Sequence, residues 1–353
     1  MEIRYLRINE DTFQNKKKSL LSLIRPYDFI LILAIFVGLI IWVITGIPVL
    51  PIRPWMVSNL LFIAKILVLG LITMWISRWI LAVWKHRRVD RRIRRMMFTR
   101  HFGWQTLIKA FRWMVSVEII ITIYTTIKQA IPFINNATYD LQLIAIEKWL
   151  HFGLNPAWEL ANSNPPLWWT KMIDINYYLW FIIKPLFFSY FLTHRNKNKR
   201  DHFISVYLGV WIVGVLIGLA APSHGPCYVD PEHFPVETMK ISQHVQDKLW
   251  VAYQDLSRIT LSGNGGMTYG MGLMAFPSLH VTVCILYVYF FWSEGLCWRW
   301  GTIIFTLMIF LGSLYSGWHY AIDGYIGILI VLFVAWTTKN PCYGQLLAYA
   351  KKS

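Results

Sequence analysis

Eight apolar segments alternate with polar ones along the chain, and each is close to the roughly 20 residues that a helix needs to cross the hydrocarbon of a bilayer. They cover residues 29–49, 56–84, 113–133, 175–193, 203–221, 276–293, 300–318 and 320–338. The third segment departs most from this pattern, because Glu118 lies within it and Arg112 and Lys128 bracket its apolar run. The pattern predicts an all-α integral membrane protein with about eight transmembrane helices.

The composition agrees with a membrane protein. Hydrophobic residues make up 56% of the chain and charged residues 15%, whereas soluble chains carry about 25% charged residues. The 19 Trp residues fit side chains that lie at the two bilayer interfaces. This composition excludes a coiled coil, a disordered tail and a small disulfide scaffold, and the four cysteines predict no disulfide framework.

Lys and Arg are unevenly distributed between alternate polar segments. With the N-terminus inside, the inner segments hold 22 of them and the outer segments hold 6. Positively charged loops stay preferentially on the cytoplasmic side. We therefore expect both termini to be cytoplasmic and the loop 222–275 to face the periplasm or lumen.

The run from Lys85 to Arg100 contains eight Lys and Arg residues and one Asp, in a chain whose net charge is +16. Between apolar spans, such a run is better explained as an anchor on anionic lipid than as a nucleic-acid patch. The predicted partner is therefore the membrane and not a nucleic acid. The run also divides the chain into a two-span piece (1–102), a six-span core (103–340) and a cytoplasmic tail (341–353).

Two histidine-containing segments carry the candidate chemistry. Met274-Ala-Phe-Pro-Ser-Leu-His280-Val opens the sixth span, and Leu314-Tyr-Ser-Gly-Trp-His319-Tyr-Ala-Ile-Asp323-Gly joins the seventh span to the eighth. The sixth span descends and the seventh returns over nearly the same length, at about 1.5 Å per residue. We therefore expect His280 and His319 to share one depth at the outer face.

Asp323 follows His319 by four residues, which places both on one face of a helix. A carboxylate there can accept one ring N–H, fix the tautomer and leave the other nitrogen as a nucleophile. A second histidine nearby can protonate a leaving oxygen. A lone histidine at a helix end is more often an interfacial residue, but an ionisable Asp within a span favours a functional site.

These residues carry a resemblance to a known family. Phe276-Pro-Ser-Leu-His280 and His319-Tyr-Ala-Ile-Asp323 resemble the second and third motifs of the type 2 phosphatidic acid phosphatase superfamily. Leu279 in place of the usual Gly, and Tyr320 after the second histidine, most resemble the branch of inositol phosphorylceramide synthase and its bacterial relatives. The stretch from Tyr139-Asp140 through Glu147 to Phe152-Gly-Leu-Asn-Pro156 is similar to that branch as well.

The resemblance covers about residues 110–340 and implies a six-helix core. It implies that His319 is the nucleophile, that Asp323 orients it and that His280 is the general acid and base. It further implies a phosphohistidine intermediate, a phospholipid or other lipid-linked phosphate as substrate and, for this branch, sphingolipid chemistry. A histidine nucleophile requires neither a metal nor another cofactor, and we expect none.

The sequence also departs from the family pattern. The usual third motif has Ser and Arg where this chain has Gly312 and Ser313, so the Arg that binds phosphate is missing. A match to the usual first motif, K-x6-R-P, occurs at residues 18–26, but it would face the cytoplasm. Our predicted substrate-binding residues are the following: Ser278, Tyr320, Lys171 and Arg258. Lys184 lies within a span and is expected to be too deep.

Three functions remain open. A lipid hydroxyl as acceptor gives a phosphotransferase, as the resemblance to the synthase branch implies, and water gives a lipid phosphatase. Both reactions use the same intermediate, so the motifs do not separate them. A non-catalytic lipid-binding or transport protein is the third reading, in which Glu118, Asp174 and Lys184 would line a polar path.

Overall fold

The computed structural model describes residues 25–46, 61, 64–65, 67–76, 79–80, 95, 98–99, 102–234, 239–261 and 272–339. Of residues 182, 185 and 255–261 it describes the backbone alone. The basic run 85–100, predicted to anchor on anionic lipid, therefore lies largely outside the described residues. The tail 341–353 lies wholly outside them.

The described residues are mainly helical, and no strand occurs among them, which confirms the all-α prediction. Its helices are α1 (Pro26–Thr45), α2 (Leu67–Ile76), α3 (Trp104–Ile134), α4 (Asp140–Leu150), α5 (Pro156–Ala161), α6 (Leu167–Leu192), α7 (Lys197–Ala220), α8 (Pro226–Val229), α9 (Lys240–Leu261), α10 (Leu279–Phe291), α11 (Leu296–Tyr315) and α12 (Ala321–Lys339). A short 3-10 turn, Pro231–His233, follows α8.

Four of the described helices, α1, α7, α11 and α12, are long and apolar enough to cross a membrane. These apolar helices fit an integral membrane protein. The count of about eight spans stays a prediction. Helices α3 and α6 are longer, with 31 and 26 residues, but they carry polar and aromatic side chains that face the interior of the bundle.

Helix α7 lies at the centre of the bundle and contacts α1, α3, α6, α10 and α12. Its side chains are buried almost continuously from Phe203 to Val215. Gly209 and Gly214 permit close approach of the neighbouring helices. A Cβ at Gly209 would lie 2.5 Å from Cγ1 of Val334 on α12, and a Cβ at Gly214 would lie 2.5 Å from Cδ2 of Leu279 on α10.

Pairs of charged side chains connect neighbouring segments at the end of the bundle where α7 begins. Arg112 of α3 donates to Asp28 of α1 across 2.5 Å, so α1 is attached to the core. Lys199 of α7 pairs with Glu294, which lies between α10 and α11. The opposite end, where α7 stops and α10 and α12 begin, contains both histidine segments.

The contact at Gly209 generates a prediction about stability. Gly209→Ala should destabilise the protein by about 1–3 kcal/mol, because the added methyl group overlaps Val334 in a packed interior. Val334→Ala in the same chain should recover part of the loss. Thermal unfolding in detergent measures both effects.

Gly301 of α11 is the matched control, because a Cβ there meets no atom within 4 Å. Gly301→Ala should leave the melting temperature unchanged or raise it. An equal melting temperature for Gly209→Ala and the unsubstituted protein would contradict the packing described for α7.

Candidate active site

The rings of His280 and His319 lie at the same end of the bundle, with their centroids 6.1 Å apart. His280 belongs to the first turn of α10, and His319 belongs to the turn between α11 and α12. Both line one cavity of about 380 Å³. The two imidazoles therefore lie close together at one end of the bundle, as the return of the two adjacent spans predicts.

The turn that carries His319 is held tightly by backbone contacts. The N–H groups of Trp318 and His319 both donate to the carbonyl of Ser313, at 3.0 and 3.3 Å. Gly317 adopts φ +70°, and a Cβ there would lie 2.8–2.9 Å from Phe234 and Cys227. A left-handed residue without a side chain is therefore required at this position.

Hydrogen bonds determine the tautomer of His319. Its Nδ1 lies 2.8 Å from the carbonyl oxygen of Ala275 and 3.1 Å from Oδ2 of Asp323. Because a carbonyl oxygen accepts and does not donate, Nδ1 carries the proton and Nε2 keeps its lone pair. The nearer acceptor is the Ala275 carbonyl, which the sequence analysis did not identify.

Burial lowers the pKa of the His319 imidazole below its usual range, since a charged ring would lose its hydration there. The hydrogen bond to the Ala275 carbonyl opposes this effect, and the charge of Lys128 adds to it. The ring is therefore neutral at physiological pH. A neutral imidazole with a free Nε2 is the form that can attack an electrophile.

Asp323 is fully buried and has a second role besides its contact with His319. Its Oδ2 accepts a hydrogen bond from the backbone N–H of Tyr320 at 3.1 Å. Glu147 of α4, also fully buried, accepts from the N–H of Ile322 at 3.0 Å. The two carboxylates thus satisfy N–H groups at the start of α12 that have no partner within the helix.

His280 lies among aromatic rings of α6. The centroid of its ring is 4.6 Å from that of Trp180, 5.1 Å from that of Tyr177 and 6.1 Å from that of Phe181. These rings limit the directions in which the imidazole can turn. None of them was identified in the sequence, although their spacing on α6 is consistent with a single helix face.

Three lysines line the same cavity: Lys128 of α3, Lys184 of α6 and Lys248 of α9. The Nζ of Lys184 lies 4.4 Å from the ring centroid of Trp180 and 5.9 Å from that of Trp211. The expectation that Lys184 is too deep to serve the site was wrong, because α6 runs past the cavity and Lys184 follows Tyr177 by two helical turns. Lys128 and Lys248 were missed.

Of the four predicted substrate-binding residues, the three whose side chains are described do not line the cavity. Ser278 is fully buried, and its hydroxyl accepts from the N–H of Val281 at 3.4 Å as the N-cap of α10. Tyr320 is also fully buried and donates its hydroxyl proton to Asp140 at 2.8 Å. Lys171 is exposed near the start of α6, and the side chain of Arg258 lies outside the described residues.

The positions at which this chain lacks the family's Ser and Arg are closely packed. A Cβ at Gly312 would lie 3.2 Å from Cγ2 of Ile173 on α6. Ser313 is fully buried, and its hydroxyl donates to the carbonyl of Phe310 at 2.7 Å. Both positions are therefore occupied by small residues in a packed interior.

Helix α9 covers the cavity, to which it contributes Val245, Lys248 and Leu249. Its first turn is fixed by Asp174 of α6, whose carboxylate accepts from the N–H groups of Ile241 and Ser242, both at 3.0 Å. The buried Asp174 carboxylate therefore holds the start of the helix that lines the cavity. These hydrogen bonds account for the burial of Asp174 without the polar path of the non-catalytic alternative.

A family model described as the PAP2 superfamily matches residues 141–337. The match covers more than half of the chain, and the protein therefore belongs to the PAP2 superfamily, the type 2 phosphatidic acid phosphatases. Members of this superfamily are phosphatases or phosphotransferases, so membership suggests a lipid-phosphatase-type function with a lipid phosphate as substrate. No curated protein and no solved structure matches the chain.

Proposed function

We propose that the protein is a membrane phosphotransferase that moves a phosphate-linked group from a lipid donor to a lipid hydroxyl. The observation that carries this proposal is the arrangement at His319, where two acceptors hold Nδ1–H and leave Nε2 as the basic nitrogen. The ring centroid of His280 lies 6.1 Å from that of His319. In this proposal, a phosphorus atom lies between the two rings, with a nucleophile on one side and a proton donor on the other.

The reaction takes place in two displacements. First, Nε2 of His319 attacks phosphorus, the bond from phosphorus to the lipid oxygen breaks, and His280 gives its proton to that oxygen. An alcohol leaves, and the phosphate-linked group remains on His319. Next, the hydroxyl of the acceptor attacks phosphorus and loses its proton to His280, the bond from nitrogen to phosphorus breaks, and both histidines return to their initial state.

Lys128 and Lys184 replace the missing Arg in this proposal. They line the cavity from α3 and α6, together with both histidines. Stabilisation of developing charge is usually the largest contribution to catalysis. Two ammonium groups in an aromatic cavity therefore suit the anionic oxygens of the transferred group.

The cavity wall favours a lipid hydroxyl over water as the acceptor. It is built mainly from apolar and aromatic side chains, among them Tyr124, Trp211 and Trp318, and α9 covers it. A dry cavity slows hydrolysis of a reactive intermediate. The resemblance to the inositol phosphorylceramide synthase branch, with sphingolipid acceptors, agrees with this choice.

We infer that the site opens to the periplasmic or lumenal leaflet. Basic residues concentrate at the bundle end opposite to the histidines, where α7 begins with Lys197, Lys199 and Arg200 and α12 ends at Lys339. Such residues favour the cytoplasmic side. The histidine end then faces the other leaflet.

The fate of the transferred group tests the reaction. Purified protein in nanodiscs receives a phospholipid with a labelled phosphate, with and without a lipid alcohol such as a ceramide or diacylglycerol. We expect the label in a new lipid when the alcohol is present, and loss of turnover in His319→Ala with the fold retained. Label released as water-soluble phosphate under both conditions would instead identify a lipid phosphatase.

If neither product forms with any head group and lipid transport across the bilayer persists in His319→Ala, the enzyme proposal is wrong and the non-catalytic alternative stands. An acid-labile phosphohistidine, absent from His319→Ala, is the expected intermediate in rapidly quenched reactions.

A second prediction follows from the proposed role of His280 as the general acid. In His280→Ala, release of an alkyl alcohol should slow by about 10²–10⁴-fold, because no acid protonates the leaving oxygen. Release of nitrophenol from an aryl phosphodiester of the same group should slow far less, since this leaving group needs no proton. Single-turnover bursts isolate this step, and an equal loss for both substrates would contradict the assignment.

The two lysines make a third prediction. Lys128→Ala and Lys184→Ala should each lower kcat/KM by roughly 10–10³-fold, because the site loses a cation that the transition state needs. Lys171→Ala is the matched control, since Lys171 lies on α6 but is exposed. Steady-state transfer measures all three, and a loss in Lys171→Ala equal to that in Lys184→Ala would argue against the cavity lysines.

A further inference from the structure

The loop of residues 222–225, between α7 and α8, connects the two histidine segments. Ser223 is buried, and it accepts two hydrogen bonds from the segment that leads into α10. Its carbonyl accepts from the N–H of Ala275 at 3.0 Å, and its hydroxyl oxygen accepts from the N–H of Phe276 at 2.9 Å. Ser223 therefore fixes the peptide whose carbonyl faces Nδ1 of His319.

Asp140, the first residue of α4, fixes the loop in turn. It is 3% exposed, and it accepts from the N–H groups of His224 and Gly225, both at 3.0 Å. The same carboxylate accepts the hydroxyl proton of Tyr320 at 2.8 Å. One buried side chain thus holds the loop and the neighbour of His319 at the same time.

The loop and the first turn of α8, which follows it, lie directly against the His319 turn. Gly225 has φ +105°, and a Cβ there would lie 2.8 Å from the carbonyl oxygen of Trp318. The N–H of Cys227 donates to the carbonyl of Gly317 at 2.9 Å. Because these contacts join one backbone to another, a displacement of the loop would move the turn as well.

We propose that Asp140 and Ser223 are positioning residues, which hold the Ala275 carbonyl against Nδ1–H of His319 and so set the tautomer and the direction of Nε2. This inference rests on the proposed function. It adds that residues outside the two histidine motifs orient the nucleophile. The carbonyl, at 2.8 Å, is the nearer of the two acceptors of Nδ1–H. The farther acceptor, Asp323, is shared with the N–H of Tyr320.

A carboxylate suits this position because every partner of Asp140 is a donor. Asp140→Asn keeps the volume, but when its Oδ1 accepts from Gly225 and Tyr320, its NH₂ group faces the N–H of His224, where it has no acceptor. The loop would shift to relieve this contact. A misplacement of about 1 Å at a reacting group costs on the order of 10²-fold in rate.

The test compares full-length Asp140→Asn and Ser223→Ala with the unsubstituted protein in nanodiscs. We expect both variants to lower kcat of lipid transfer, by on the order of 10²-fold for Asp140→Asn, with KM nearly unchanged. Asp28→Asn is the matched control, because Asp28 also accepts one backbone N–H and one side-chain donor, at the opposite end of the bundle. It should leave kcat unchanged even where it lowers the melting temperature.

A second measurement does not depend on activity. The ¹⁵N spectrum of histidine-labelled protein contains a His319 signal that is identified by its loss in His319→Ala. We expect the Nδ1–H tautomer alone in the unsubstituted protein and in Asp28→Asn, and a mixture of tautomers in Asp140→Asn and Ser223→Ala. Unchanged tautomer signals and unchanged kcat in both variants would overturn the positioning role. Absence of turnover in the unsubstituted protein would overturn the proposed function alone.

Discussion

The end of the bundle that holds the histidines is determined by one constraint: several backbone N–H groups there are buried inside the protein. Buried N–H groups need acceptors, and here four buried carboxylates supply them: Asp140, Glu147, Asp174 and Asp323. Each joins a different pair of segments. Removal of any one would leave donors unpaired in an apolar environment, so the loops and the turn that form the site depend on these acids.

The charged groups of the site come from different helices. The carboxylates of Asp323 and Glu147 accept from backbone N–H groups at the start of α12, whereas lysines of α3, α6 and α9 line the cavity together with both imidazoles. In the proposed reaction, these lysines attract the anionic phosphate, and the neutral Nε2 of His319 attacks it.

The aromatic side chains contribute a second physical property. Trp180 and Tyr177 surround His280, and the same Trp180 ring lies under the ammonium group of Lys184. A cation over an aromatic face is attracted by the ring, and this contact helps to hold the ammonium group of Lys184 in an apolar wall. In the proposed reaction, its charge stabilises the phosphate of the substrate.

The sequence by itself determined the helical class and the proximity of His280, His319 and Asp323. The return of two adjacent spans predicted that the histidines lie at one end of the bundle. The four-residue spacing predicted the contact between His319 and Asp323, but His319 lies in the turn before α12 and not on the helix face that the spacing suggested. The tertiary structure decided which other groups reach the site. Lys128 and Lys184 face the cavity, whereas the hydroxyls of Ser278 and Tyr320 are taken up by a helix cap and by Asp140. The Ala275 carbonyl likewise carries no signal in the sequence. Which face of a helix meets a cavity depends on the packing of every neighbour at once, and a residue type does not encode that packing.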